Sequence, residues 1–407
     1  MTAVPVVVLN MHYSGLGIAR SLGPHGIPVY GLSSDPNFPG NYSRYCQFRL
    51  SPDSLHEPEQ LRDFLLDFAR TLGSKPIIFP TRDHDIQFLT AHRELLEQSF
   101  VIPLASREVI ERATNKDACL AIAAKAGIPV PASHTVRNGA ELAAIMAVLT
   151  FPVIIKPLYA RDWRRPGIWE TVGHQKAAIL DSRDALERFY ASIETVAPLV
   201  SVQEYIPGPD SNLVIFGSYC RANGDVRAFF TGRKLLQDPP LKGTGLIVEG
   251  VPIPEIVPHS KALLRAMQFF GVSEIEFKIH ERTKVPYLIE INPRHWDQHY
   301  LGTACGVNLS LAMYRDLTGE QDSDSKAAAH AVPEQQSAPV RWIAESDLFF
   351  YALKGLKHGR KDLWAELRRA SGTRTFSVFS ADDPGPGRRQ LRNIVSQFAR
   401  LAIGKSA

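Results

Sequence analysis

The chain has 407 residues but only four cysteines, Cys46, Cys119, Cys220 and Cys305, and none of them forms a C-x-x-C pair. That spacing excludes a metal knuckle and a disulfide-stapled scaffold, and it fits a reducing compartment, expected to be the cytoplasm. No apolar run approaches the roughly 18 residues of a membrane-spanning helix. The apolar run at residues 4–9 has no basic segment before it, so no secretory leader is expected. Internal repeats are also lacking. Glycine is short where a dinucleotide site needs it. The turn after the first apolar run reads Ser14-Gly15-Leu16-Gly17, which is G-x-G alone, and Asp35 only approximates the acid expected after the next strand.

Net charge is small as well, +4, but it is unevenly placed. Residues 340–407 carry 13 Lys+Arg against 6 Asp+Glu, while the rest of the chain is slightly acidic. A basic tail suits anionic lipid, nucleic acid or an acidic partner, although a solvated helical surface is the commoner outcome. The near-neutral body gives no reason to expect nucleic acid. Peripheral contact with a membrane surface through the tail stays open beside packing on the core.

What is present is an ordinary globular composition, 44% hydrophobic and 22% charged, in a chain long enough for two or three cored domains. A strand at 4–9, a glycine turn, a helix from residue 18 and a strand at 29–32 spell a βαβ unit with a parallel sheet. A helix at 61–72 and a strand at 77–79 follow, and residues 81–85 read as a polar strand end. Residues 108–127 read as largely helical. Strands are expected at 151–156 and 200–206, and a hairpin at 213–232 turns on Asn223-Gly224. A helix is expected at 258–270. Helices at 347–357 and 361–370, a break at 382–387 and a basic amphipathic helix at 388–403 complete the pattern.

The chemistry gathers in two short segments, Glu276-Phe277-Lys278 and Tyr287-Leu288-Ile289-Glu290-Ile291-Asn292-Pro293-Arg294. Both alternate as strands, with a polar turn between them. Alternation sets Glu276 and Lys278 on one face of the first strand, and Glu290, Asn292 and Arg294 on one face of the second. Two carboxylates and an amide oxygen suit Mg²⁺, which takes its remaining ligands from nucleotide phosphates. An arginine one step beyond suits a developing phosphate charge. The alternative, a solvated edge hairpin, is disfavoured by the apolar residues that flank the acids.

The E-x-N-P-R strand with an acid on the strand before it resembles the metal-binding end of ATP-grasp enzymes, in particular carboxylate–amine ligases related to D-aspartate ligases and to carbamoyl-phosphate-synthase-like proteins. The ordered segments Thr114-Asn115-Lys116-Asp117, Ile154-Ile155-Lys156-Pro157 and Val202 to Gly208 extend the resemblance, which covers roughly residues 4–317. It implies an α/β fold. A Rossmann-like domain (1–112) is followed by an ATP-grasp domain of two α+β subdomains (113–320), a linker (321–340) and a basic, helical C-terminal extension (341–407). It further implies ATP and Mg²⁺, with Mn²⁺ as an alternative. Glu276, Glu290 and Asn292 are the implied metal ligands, and Lys116 and Lys156 the cations on the phosphates. Gln203, Glu204, Tyr205 and Ile206 are expected to grip adenine, with Gln203 taking its amino group, and Asp210 to hold the ribose. Arg294, Arg233 and Lys234 are the candidate catalytic cations. His295 or His299 can serve an amine as base, although packing is the commoner role for such residues.

The implied reaction activates a carboxylate as an acyl phosphate and joins it to an amine, giving ADP and phosphate. The substrates are expected to be small and amino-acid-like, and a homodimer is in keeping with the family. Two alternatives remain: a bicarbonate-activating or carbamoyl-phosphate-type enzyme, and a nucleotide-binding regulatory protein without turnover. Two loops depart from the commoner pattern. Where many relatives have a glycine-rich flap, this chain has Tyr159-Ala160-Arg161-Asp162-Trp163-Arg164-Arg165-Pro166-Gly167. A second loop, residues 238–245, has the small residues of a lid.

Overall fold

The computed structural model describes residues 3–159, 162–319 and 335–402. Most of the expected linker and part of the expected flap, residues 160 and 161, lie outside them. Three sheets organise the chain.

The first is wholly parallel, in the order β3-β2-β1-β4, with β1 Val6–Leu9, β2 Val29–Ser33, β3 Gln47–Leu50 and β4 Ile77–Phe79. Its β-branched central strand is buried on both faces, as parallel strands covered by helices are. The second sheet is antiparallel, in the order β5-β8-β6-β7, with β5 Ser133–Val136, β6 Val153–Pro157, β7 Ala178–Leu180 and β8 Val200–Glu204. The third has seven strands in the order β13-β12-β9-β10-β11-β14-β15. These are β9 Leu213–Arg221, β10 Asp225–Asp238, β11 Thr244–Gly250, β12 Gly271–Ile279, β13 Pro286–Asn292, β14 Val340–Ile343 and β15 Arg374–Phe376.

The β9–β10 turn forms as its sequence demands. Asn223 and Gly224 both take positive φ, 63° and 72°, the pair a tight hairpin needs. A Cβ on Gly224 would meet the Leu264 carbonyl oxygen at 2.2 Å, so only glycine fits there.

Four expectations change. Residues 81–85 do not end a strand; Asp83–Ala91 is a helix, and buried Asp85 accepts from the Thr81 and Arg82 backbone at its start. The helical stretch at 108–127 is two helices, Arg107–Thr114 and Lys116–Lys125, because Asn115 stops one and caps the next by accepting from Ala118 N at 3.0 Å. The line drawn at 112/113 therefore falls inside a helix. The C-terminal extension is helical only in part: β14 pairs with β11, and β15 with β14, so it completes the third sheet. The break at 382–387 is shorter than expected, because the last helix, Pro384–Ala402, begins within it. Pro384 costs nothing at the first position, where its missing N–H has no partner to lose. Just before it, fully buried Asp383 ties the extension to the first domain through Arg20 at 3.0 Å and Ser43 at 2.7 Å.

Candidate active site

A cleft of about 740 Å³ opens between the three sheets. The first domain contributes Thr81 to His84, the second sheet Lys156 and Gln203, and the third sheet the acidic hairpin.

That hairpin forms as its alternation predicts. Glu276 stands directly opposite Glu290, and Glu274 opposite Asn292, across β12 and β13. Carboxylates facing each other in a ladder repel, so each needs a cation. Lys234 Nζ donates to Glu276 Oε1 at 2.7 Å, and Lys116 Nζ lies 3.8 Å from Glu290 Oε2. Burial would raise the Glu290 carboxyl, but Lys116 and Lys156 outweigh it and hold its pKa low. Asn292 Nδ2 donates to Glu274 Oε2 at 3.1 Å and to Glu290 Oε1 at 3.4 Å. The register slips just past Glu276, where Phe277 pairs with Leu288 and Ile289 is extra. Such a bulge re-aims side chains beside a site.

Glu274 was missed by the sequence reading. It is buried, its Oε1 has no hydrogen-bond partner, and burial followed by the Glu276 charge pushes its pKa up to about 8. The signal was the same alternation, two residues upstream of Glu276.

Lys156, at the end of β6, is 5% exposed and donates to Gln203 Oε1 at 2.8 Å. Burial, then Lys116, lowers its pKa to about 8. The bond to Lys156 occupies the Gln203 oxygen, and Gln203 Nε2 is buried without a partner. Gln203 therefore offers a donor to the cleft rather than the acceptor an amino group would need. Glu204 N–H donates to Ala132 O at 2.8 Å, within the sheet. Tyr205 and Ile206 line the cleft with Ile154, Leu213 and Ile289, which give it an apolar stretch of wall.

Arg294 reaches the far end of the cleft, where its Nε donates to Asp83 Oδ1 at 2.5 Å. Burial would raise Asp83, but Arg294 outweighs it and draws its pKa down to about 2. Asp297 lines the same end and accepts from Ser14 Oγ at 2.9 Å.

Two expected site residues do not reach the cleft wall. Arg233 precedes Lys234 in β10 and so points to the other face of the sheet. It pairs there with Glu249 at 3.0 Å, and Glu249 also takes Arg341 of β14. Asp210 spends its carboxylate within the protein, accepting from Gln237 N, Gln237 Nε2 and Leu241 N at 3.1, 3.0 and 2.8 Å. It braces the 238–245 loop instead of waiting for a ribose.

The histidines pack. His295 Nε2 lies 3.0 Å from Ser310 Oγ and its ring stacks on Phe79. His299 donates to Ser14 O at 2.9 Å, and burial lowers its pKa to about 4. The G-x-G turn serves the same contact. It lies inside helix Tyr13–Leu22, and a Cβ on Gly17 would meet His299 Nε2 at 2.7 Å.

Over the cleft, Lys176 Nζ donates to Thr244 Oγ1 at 2.8 Å, and Lys242 Nζ donates to Gln175 Oε1. These bonds join the loop after the expected flap to the 238–245 loop. Arg164, from the flap itself, also lines the cleft.

No protein-family model matches the chain. It is 24% identical over 322 residues to the D-aspartate ligase of Enterococcus faecium, 76% of each chain being covered. The L-amino acid ligase of Bacillus licheniformis superposes with a TM-score of 0.59 at 17% identity, covering 78% of this chain and 75% of that one. The ADP-bound N5-carboxyaminoimidazole synthetase of Staphylococcus aureus superposes with a TM-score of 0.63 at 15% identity, covering 88% and 86%. The chain shares the fold of these solved structures, and the resemblance read from its hairpin points to the same group of proteins.

Proposed function

We propose that this protein is an ATP-grasp ligase that joins two small, amino-acid-like substrates, one as carboxylate donor and one as amine acceptor. A donor carboxylate oxygen attacks the γ-phosphorus of ATP, and ADP leaves. The amine nitrogen then attacks the acyl carbon, the bond from that carbon to the phosphate oxygen breaks, and phosphate departs with one former carboxylate oxygen. The nitrogen gives up its proton and an amide remains.

The observation that carries this reading is the meeting of Glu276, Glu290 and Asn292 with Lys116, Lys156 and Lys234 in one buried cleft. Among the described residues no three acidic, histidine or cysteine side chains gather closely enough to hold a metal alone. Mg²⁺ takes carboxylate and amide oxygens, keeps few protein ligands and completes its shell with phosphate and water. Glu276, Glu290 and Asn292 would hold it, with the unpartnered Glu274 oxygen beside them. When bound, it supplies positive charge between the phosphates, and Mn²⁺ would serve likewise.

Lys116 and Lys156 neutralise phosphate from two sides, and Lys234 and Arg294 take up charge at the reacting phosphoryl group. The Asp83 carboxylate orients the Arg294 guanidinium. Asp297 offers a negative charge where a cationic amine arrives. Tyr205 and Ile206 flank the purine, with Glu204 at its edge. The bonded loops over the cleft exclude water, which would otherwise hydrolyse the acyl phosphate.

ADP release with Mg²⁺-ATP, over pooled amino acids and other carboxylates and followed by mass spectrometry, tests the proposal. ADP accompanied by a new amide mass is expected. ADP released with bicarbonate alone, or ATP binding with no ADP from any pool, would overturn it.

A further inference from the structure

Among the described residues, seven of the fourteen exposed large apolar side chains fall within residues 349–398, so the apolar exposure described is concentrated on the C-terminal extension. They follow helical geometry. Phe349, Leu353 and Leu356 stand at i, i+4 and i+7 on helix Glu345–Lys357, and Leu391, Val395 and Phe398 repeat that spacing on helix Pro384–Ala402. The Phe398 ring lies 6.2 Å from Phe349 and 6.0 Å from Phe350, which joins the two stripes into one surface. Lys354 and Lys357 border the first stripe, and Arg388 and Arg392 the second; all four are exposed. The surface is anchored, because the buried Arg20–Asp383 pair fixes the start of the last helix on the first domain.

We propose that this surface docks on an anionic lipid membrane, its apolar stripes entering the interface and its bordering cations meeting the headgroups. Apolar residues on one helical face, flanked by Lys and Arg, are the arrangement that lies in a membrane surface plane. Among the described residues no helix is long and apolar enough to cross a membrane, so the contact is peripheral. Charge selects this occupant over a second copy of the chain. A two-fold contact through the same face would bring Lys354, Lys357, Arg388 and Arg392 toward their own counterparts, and facing like charges oppose association.

Flotation of the full chain with vesicles of phosphatidylcholine alone, and of phosphatidylcholine with phosphatidylglycerol in equal parts, tests this. Binding is expected only to the mixed vesicles, and it should weaken as salt rises. R388Q/R392Q should lower the partition by roughly thirtyfold, at the usual value of a basic residue near an anionic surface. V395S/F398S should lower it as well. Both double variants lie outside the cleft: R388Q/R392Q should keep the wild-type unfolding temperature, and V395S/F398S, which loses the Phe398 ring contacts, should unfold a few degrees lower yet stay folded at the assay temperature by circular dichroism, which separates lost docking from lost folding. No partition into mixed vesicles would overturn the proposal. So would a dimer in sedimentation that V395S/F398S dissolves, since that assigns the face to a second copy.

Discussion

The two faces of the seven-stranded sheet treat charge in opposite ways. Toward the cleft, Lys234 and Glu276 are buried and paired at 2.7 Å, with half-buried Glu290 and Asn292 beside them. On the other face, Arg233 keeps 42% of its side chain exposed while Arg341 shares Glu249 with it. Adjacent residues of one strand, Arg233 and Lys234, thus belong to different worlds. Glu249 is buried but keeps Arg341, so the half-exposed Arg233 adds little, about 1 kcal/mol. The enclosed set is costly to assemble and costly to break. Under the proposed function a ligand that brings phosphate and metal redistributes those contacts, so the inner face acts as a site while the outer face is a seam between β11 and β14.

Variants that treat the two faces unequally test that contrast. Glu290→Ala should have the largest effect, a loss of turnover of roughly a thousandfold by ADP release, because it removes an implied metal ligand and leaves Lys116 and Lys156 uncompensated. Full activity in that variant would end the assignment. Next, Lys234→Met strands Glu276 in the interior. A stability loss of about 3–5 kcal/mol in denaturant unfolding is expected, together with a fall of at least a hundredfold in kcat/KM.

A pH effect comes third. Burial, then Lys116, lowers Lys156 to about 8, while phosphate favours its ammonium form. Nucleotide affinity measured by calorimetry should therefore fall as pH rises through about 8, by up to tenfold per unit. The sign for folding is the reverse. The depressed value is a cost in the ligand-free protein below pH 8, and the cost fades as pH climbs toward the unfolded lysine's value of about 10.4.

Asp210→Ala is expected to be milder, about 1–3 kcal/mol of stability, because it orphans donors at Gln237 and Leu241. KM should rise several-fold as the 238–245 loop loosens. Arg233→Met should be the smallest, within about twofold of wild type in kcat/KM, and a larger loss would erase the distinction between the faces.

The hairpin was legible because strand alternation is local and the flanking apolar residues declare a buried sheet. The tight β9–β10 turn was legible for a similar reason, since Asn223-Gly224 carries its own backbone geometry. Which of Arg233 and Lys234 faces inward was not legible. Alternation says that they differ, but the direction depends on how β10 meets its neighbours, and the register slips at Leu235. Asp210 reads as a free turn aspartate until Gln237 and Leu241 are brought to it from 27 and 31 residues away. The same limit hid β14 and β15, because pairing across the linker leaves no local signal. Glu274 was within reach, one more step of the alternation that exposed Glu276.

The most direct measurement follows oxygen. The donor carboxylate, found by the pooled screen, is prepared with heavy oxygen and carried through a complete reaction, and the released phosphate is analysed by mass spectrometry. One labelled oxygen in each phosphate is the expected result, because the acyl phosphate leaves with an oxygen that began on the donor. Phosphate free of label, with amide formed, would contradict the account.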